Sequence, residues 1–221
     1  MTGPKCALCK PKHCRDGITG EAMLPDFCPM KNFKHLIQKV KQKYDTEDTK
    51  EFFLCAALTE KEAYDEKSAR GQGEIIPVRP RIREIAEFAK KIGAKKIGMA
   101  FCSGLGDEAS RANVILEDHG LEVISVICSC GSLDKEEMGI PSEYKIRSPE
   151  NFEAACNPIL QADLLNKAGT AFNVLVGLCV GHDMLFTKHS KAPVTTLIVK
   201  DRFTGHNPII SLYTRYHKNI V

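Results

Sequence analysis

Tryptophan is absent from the 221 residues, which by itself decides nothing. Other gaps are more informative. No apolar run approaches the roughly 20 residues needed to span a bilayer. The first residues, MTGPKCALCK, hold no apolar stretch of the kind that carries a secretory signal. Charge bias is missing too. Lys and Arg number 31 against 28 Asp and Glu, and the net +3 is spread along the chain, so nothing argues for nucleic acid as a partner. Internal repeats and low-complexity tracts are lacking. These gaps leave a globular protein expected in the cytoplasm, with no membrane or nucleic-acid partner. At 43% hydrophobic and 27% charged it has an ordinary globular composition. A chain of this length should bury roughly 70% of its unfolded surface.

Cysteine is what the chain has in quantity, with ten residues. That is below the roughly 8–10% of a disulfide scaffold. In a reducing compartment such clusters point to metal or redox chemistry instead.

Three of the ten occupy one repeated place, just past an expected buried strand. Cys102 follows KKIGMAF (95–101), Cys128 follows LEVISVI (121–127) with Cys130 two residues on, and Cys179 follows AFNVLVGL (171–178). A fourth strand is expected over 192–199. Helices are expected over 33–44, 52–64, 81–93, 107–119, 157–169 and 180–190. A loop is expected over 70–80, and a long irregular segment over 128–151. This alternation predicts a doubly wound, Rossmann-like α/β fold with a mostly parallel sheet of about four strands. The division expected is a cysteine-rich segment with two helices over 1–80 and the α/β domain over 81–221. In an open parallel sheet the strand ends converge on one edge, where α/β proteins bind ligands.

That edge gathers the candidate site. FCSGLGDEA (101–109) runs from strand through Cys-x-x-Gly into a helix, whose start favours a thiolate as nucleophile or ligand. It is not G-x-G-x-x-G, so it argues little for a dinucleotide. Cys156 precedes Asn157-Pro158 at an expected helix start. In GLCVGHD (177–183), His182 and Asp183 follow Cys179 closely, and a His beside a carboxylate can move protons. KDRFTGHNP (200–208) adds Lys200, Asp201, Arg202 and His206, charges suited to a small anionic or sulfur-containing substrate. Cys102, Cys128, Cys156 and Cys179 are thus the candidate ligands of a shared centre. Cys102, Cys179, His182, Asp183 and Arg202 are the candidate catalytic groups. Cys55 reads as apolar filler, and His35, His119 and His217 as surface or packing residues.

A second group lies in the first thirty residues, a segment with no hydrophobic period of its own. Cys6, Cys9, Cys14 and Cys28 follow the pattern Cys-x2-Cys-x4-Cys-x13-Cys. A metal on these thiolates would tether a segment that has no core. Thiolates suit zinc and iron–sulfur centres alike, and the spacing does not choose between them. His13 is a rival ligand beside Cys14.

The segments CALCKxxxC, FCSGLGDEA, CNPILQADLLN, GLCVGHDMLFTKHSKAPVTTLIVKDR and GHNP together resemble a prokaryotic cysteine-rich family, domain of unknown function 1847. The resemblance covers nearly the whole chain. It implies a metal-binding role for Cys6, Cys9, Cys14 and Cys28, and it implies no reaction. In place of the single Cys and basic residue expected after the second strand, this chain has Cys128-Ser129-Cys130, which leaves open which sulfur faces the site. Three functions follow from the residues: a redox or sulfur-chemistry enzyme with a thiolate-ligated cluster at the sheet edge; a cysteine-nucleophile enzyme using Cys102 or Cys179 with His182; or a zinc-stabilised binding or regulatory module without catalysis.

Overall fold

The computed structural model describes residues 3–65 and 75–213. His217 and residues 70–74 of the loop expected over 70–80 lie outside them. The chain divides into two compact units, Met1–Leu58 and Thr59–Val221.

The first unit opens with short 3-10 turns at Cys6–Leu8 and Glu21–Met23, followed by α1 (Pro29–Asn32) and α2 (Lys34–Lys41). The sequence predicts one helix over 33–44. Helix α2 and a 3-10 turn at Gln42–Tyr44 fill that span, and Phe33, with φ of −130°, separates α2 from α1. Helix α3 (Glu47–Glu62) begins five residues before the expected Phe52, because Glu47 and Asp48 place carboxylates in its first turn.

The second unit begins with a short antiparallel pair, β1 (Tyr64–Asp65) and β2 (Ile76–Pro77), followed by α4 (Arg81–Lys91). The repeat then runs β3 (Lys96–Phe101), α5 (Gly106–Asp118), β4 (Glu122–Ile127), α6 (Pro158–Ala168), β5 (Asn173–Val176), α7 (His182–His189) and β6 (Val194–Ile198), with α8 (Ile209–Tyr213) closing. The four main strands form one all-parallel sheet in the order β4-β3-β5-β6. The expected α/β architecture is therefore the observed one.

Burial follows the strand order. The central strands read as continuous apolar runs, with Ile97, Met99, Ala100, Val174 and Val176 fully buried. The outer strand β4 carries only exposed and half-buried residues. Helix α5 packs Ala109, Ala112 and Leu116 inward, three and four residues apart. Helix α6 is capped at both ends. The Asn157 side chain accepts from the Leu160 N–H at 3.0 Å, and Gly169 closes the helix in the left-handed conformation. Among the described residues no helix is long and apolar enough to cross a membrane.

With β3 between β4 and β5, the crossover β3→β4 runs one way and β4→β5 the other. Right-handed connections then place α5 on one face and α6 and α7 on the opposite face. The carboxyl ends of β3 and β5 flank the point where direction reverses, the crevice in which such sheets bind ligands.

Candidate metal and thiol site

Each strand-end cysteine sits one or a few residues beyond its ladder but stays tied to the neighbouring strand. The Cys102 N–H donates to the Val176 carbonyl at 3.1 Å, and the Cys128 N–H to the Phe101 carbonyl at 2.8 Å. After β5, Gly177 turns the chain at φ +67°, and a Cβ there would lie 2.8 Å from Leu105 Cδ1. That turn leads to Cys179, whose carbonyl accepts the N–H groups of His182 and Asp183 and so starts α7. Gln161 of α6, fully buried, donates its amide to the carbonyls of Phe101 (3.3 Å) and Val126 (2.7 Å). It clamps the ends of β3 and β4 just below Cys102 and Cys128. Sequence reasoning missed Gln161. The available signal was a polar residue on the helix face that also carries Ala162 and Leu165.

Cys156 arrives from the long connection after β4, which is ordered around one lysine. The Lys145 side chain, 2% exposed, pairs with Asp134 at 2.9 Å and Glu136 at 2.8 Å and donates to the Asn151 carbonyl at 3.0 Å. An antiparallel bridge between Asp134 and Ala154 closes the base of the loop, with Ala155 N–H donating to the Leu133 carbonyl at 2.8 Å. The next anchor is the Asn157 N–H on the Cys128 carbonyl at 2.7 Å, which brings the main chains of Cys128 and Cys156 together. The Glu136 N–H, then Lys145, hold the Asp134 carboxyl at about 2, below its ordinary 3.8. A carboxyl depressed on folding stabilises fully above its unfolded value and loses that contribution as pH falls through the folded one. Backbone amides of 133–155, followed by hydrogen exchange corrected for intrinsic rate, are therefore expected to lose protection as pH drops from 3.8 towards 2. Amides of β3 and β5 stay protected over the same range.

The side chains converge. The Cys128 sulfur takes hydrogen bonds from the Cys156 thiol, the Ser103 N–H at 3.3 Å and the Cys102 thiol, which together hold its pKa below that of an ordinary thiol against the opposing effect of burial. The Cys156 thiol is pushed up by sharing its proton with Cys128, by burial, and by the charges of Cys128, Cys179 and Cys102. Cys128 is thus the ionised partner and Cys156 its donor. Burial and then the charge of Cys128 raise Cys130, whose sulfur lies 4.0 Å from the Asn157 carbonyl. Cys128, and not Cys130, joins the other thiols.

Two cations complete the edge. Lys200 Nζ lies 3.3 Å from the Cys102 sulfur, and Arg202 Nη2 lies 3.0 Å from the Cys179 sulfur. Among the described residues neither cation pairs with a carboxylate. The residue between them, Asp201, is spent on the turn. Its Oδ1 accepts the N–H groups of Phe203 (3.0 Å) and Thr204 (3.1 Å), and its own N–H donates to His206 Nδ1 at 3.1 Å. This closed turn fixes Lys200 and Arg202 on either side of it. Asp183 is likewise engaged by backbone, accepting from the N–H groups of Gly181 (3.0 Å) and Met184 (2.7 Å). Among the described residues no hydrogen bond joins it to the His182 ring. His182 itself is half-buried at the start of α7.

In the first unit Cys6, Cys9, His13, Cys14 and Cys28 line one cavity of about 300 Å³, together with Leu24, Phe27 and Pro29. Cys28 is buried, Cys9 half-buried, and Cys6 and Cys14 exposed. The Cys9 N–H donates to the Cys6 carbonyl at 3.1 Å, the tight turn that a C-x2-C pair requires. Cys55 is buried. Among the described residues no group of three or more His, Cys, Asp or Glu side chains is arranged to hold a metal ion.

Comparison with known proteins adds two findings. The chain is 39% identical over 213 residues to the uncharacterized protein MJ0455 of Methanocaldococcus jannaschii, covering 96% of this chain and 95% of that relative. Residues 28–197 match the family described as protein of unknown function, DUF1847. The matched span includes Cys28 and all four convergent cysteines, and it ends before Lys200 and Arg202. The chain belongs to the DUF1847 family.

Proposed function

We propose that this protein is a metal-dependent redox or sulfur-chemistry protein, with its centre held by Cys102, Cys128, Cys156 and Cys179. The observation that carries this reading is a sheet edge where Cys102, Cys128 and Cys156 act on one another and Cys179 acts on Cys156, beside two cations, Lys200 and Arg202, that lie against the Cys102 and Cys179 sulfurs and pair with no carboxylate among the described residues. Charge supports it. Four thiolates on a zinc ion, or on a four-iron cluster carrying two positive charges, sum to −2, which Lys200 and Arg202 neutralise. Cations against sulfur favour thiolates over thiols, and soft thiolates suit zinc and iron–sulfur centres. A single ion would require the thiols to close in by side-chain rotation. A multinuclear cluster, which holds its ligands further apart, needs less closure and is the preferred form.

With all four cysteines bound such a centre would supply electrons; with only three bound it would also offer an open position for a substrate sulfur or oxygen. The chain's own residues supply the rest. Arg202, exposed at the rim, holds an anionic group beside Cys179. Lys200, 3.3 Å from the Cys102 sulfur, brings positive charge to the centre. His182 is the group placed to carry protons. The N-terminal cavity is proposed as a separate structural metal site, with Cys6, Cys9, Cys14 and Cys28 as ligands and zinc as the simplest occupant.

Anaerobic isolation followed by iron, zinc and acid-labile sulfide analysis tests both. The expected result is iron with matching sulfide, lost in Cys102→Ser and Cys179→Ser but kept in Cys6→Ser. Protein free of iron and sulfide after reconstitution, with one thiol alkylating far faster than the rest, would overturn the cluster in favour of Cys102 or Cys179 as a nucleophile with His182 as base.

A further inference from the structure

The Cys128–Cys156 contact has a chemistry of its own that needs no metal. We propose that these two cysteines form a redox-active dithiol that reduces small organic disulfides, closing to an intramolecular disulfide between them. The inference goes beyond the metal reading and rests on how the fold holds the two residues side by side.

Three observations carry it. Cys156 is the largest influence on the Cys128 sulfur and Cys128 the largest on Cys156, as neighbouring thiols act. Their main chains are held together next to the sulfurs by the Asn157 N–H on the Cys128 carbonyl at 2.7 Å. The chain between them is already closed by the Asp134–Ala154 bridge and the Lys145 ion pairs, so the entropy of closing that loop is lost on folding and not on oxidation. The pair is also asymmetric. Cys156 is half-buried and Cys128 buried, 3% exposed. An external disulfide reaches Cys156 first, and Cys128 reacts from inside.

The steps balance. The Cys156 thiol passes its proton to the Cys128 thiolate and, as thiolate, attacks one sulfur of R–S–S–R; the disulfide bond breaks, and the departing R–S⁻ takes that proton from Cys128 and leaves as R–SH. A mixed disulfide now joins Cys156 to the remaining S–R. The Cys128 thiolate attacks the Cys156 sulfur, the mixed disulfide breaks, and a second R–S⁻ leaves and takes a proton from water. One external disulfide is reduced to two thiols, and the Cys128 and Cys156 thiols are oxidised to one disulfide. The product disulfide removes two of the four sulfurs offered to a metal, so the two chemistries exclude one another at this edge.

The test uses the full-length chain, reduced and freed of metal by a chelator, with unchanged far-UV circular dichroism. It is exposed to glutathione disulfide, free thiols are blocked by alkylation, and disulfide-linked peptides are mapped by mass spectrometry. The same treatment of Cys130→Ser separates Cys128 from Cys130, which share a tryptic peptide. The expected result is a Cys128–Cys156 link as the dominant product in both proteins, with two glutathiones released per link. In Cys128→Ser, glutathione stays on Cys156 at about tenfold or more above the wild-type level, because displacement by a positioned internal group outruns its external counterpart. A wild-type protein that keeps glutathione on Cys156, or whose dominant link joins any other pair, overturns the proposal. Neither outcome bears on the metal content of anaerobically isolated protein, so the two readings fail separately.

Discussion

Gly98→Ala is expected to destabilise the second unit by about 3–5 kcal/mol, near the upper end for a single substitution. A Cβ at Gly98 would fall 1.9 Å from Asn173 Oδ1 and 2.8 Å from Leu165 Cδ1. Neither neighbour has room to yield. Asn173 is fully buried on β5, where Oδ1 accepts from Thr170 Oγ1 at 2.8 Å and Nδ2 donates to Ser190 Oγ at 2.8 Å. Moving it strands buried polar groups, each costing about 1–3 kcal/mol, and Leu165 is itself fully buried. Chemical denaturation read by circular dichroism measures the loss. Gly106→Ala is the control. It sits at the start of α5 with helical φ and no atom within 4 Å of an added Cβ. Ala there is expected to be neutral or to stabilise by about 0.5 kcal/mol through helix propensity and the unfolded chain. A Gly98→Ala protein as stable as wild type would mean that β3 and β5 do not approach as closely as described.

Lys200→Met is expected to weaken metal binding at the sheet edge by about ten- to a hundredfold while leaving the fold intact. A unit charge about 5 Å from a charged centre, at an effective dielectric constant near 20, is worth about 3 kcal/mol, and partial solvent screening lowers that figure. Lys200 is half-buried and 3.3 Å from the Cys102 sulfur, so its charge is the less screened of the two. Arg202→Met, at an exposed position, is expected to do less to metal affinity and more to the capture of an anionic substrate. Titration with cobalt(II), whose thiolate complexes absorb strongly, reads the affinity in each variant. Equal affinity in wild type and Lys200→Met would remove the charge-balance argument.

The strand–helix alternation was legible because each element carries its period on its own residues. Apolar runs mark β3 and β5, and the Ala109, Ala112, Leu116 spacing marks α5. Boundaries were less legible where a backbone turn decides them. The strand expected over 171–178 stops at Val176 because Gly177 takes a positive φ. The strand-end cysteines could be placed on one edge from spacing alone, since strand ends converge whatever the side chains. Their contacts could not. The choice of Cys128 over Cys130 depends on where the turn after β4 aims each sulfur. The buried Lys145 reads as one more loop lysine until Asp134 and Glu136 are folded around it. Asp183 looks like a partner for His182 by adjacency. Its carboxylate instead satisfies free N–H groups at the start of α7, a backbone demand that adjacency does not reveal.

The strand order also sets a timetable. Cys102 belongs to an interior strand made early, whereas Cys179 and Arg202 lie on segments translated some 75 to 100 residues later. While the chain is being synthesised, the first thiol waits beside an empty lane that β5 has yet to fill. On the proposed reading, a metal offered during that interval would meet an incomplete set of sulfurs, so delivery to the edge would follow synthesis of Cys179, whereas the proposed N-terminal site could be served from the start.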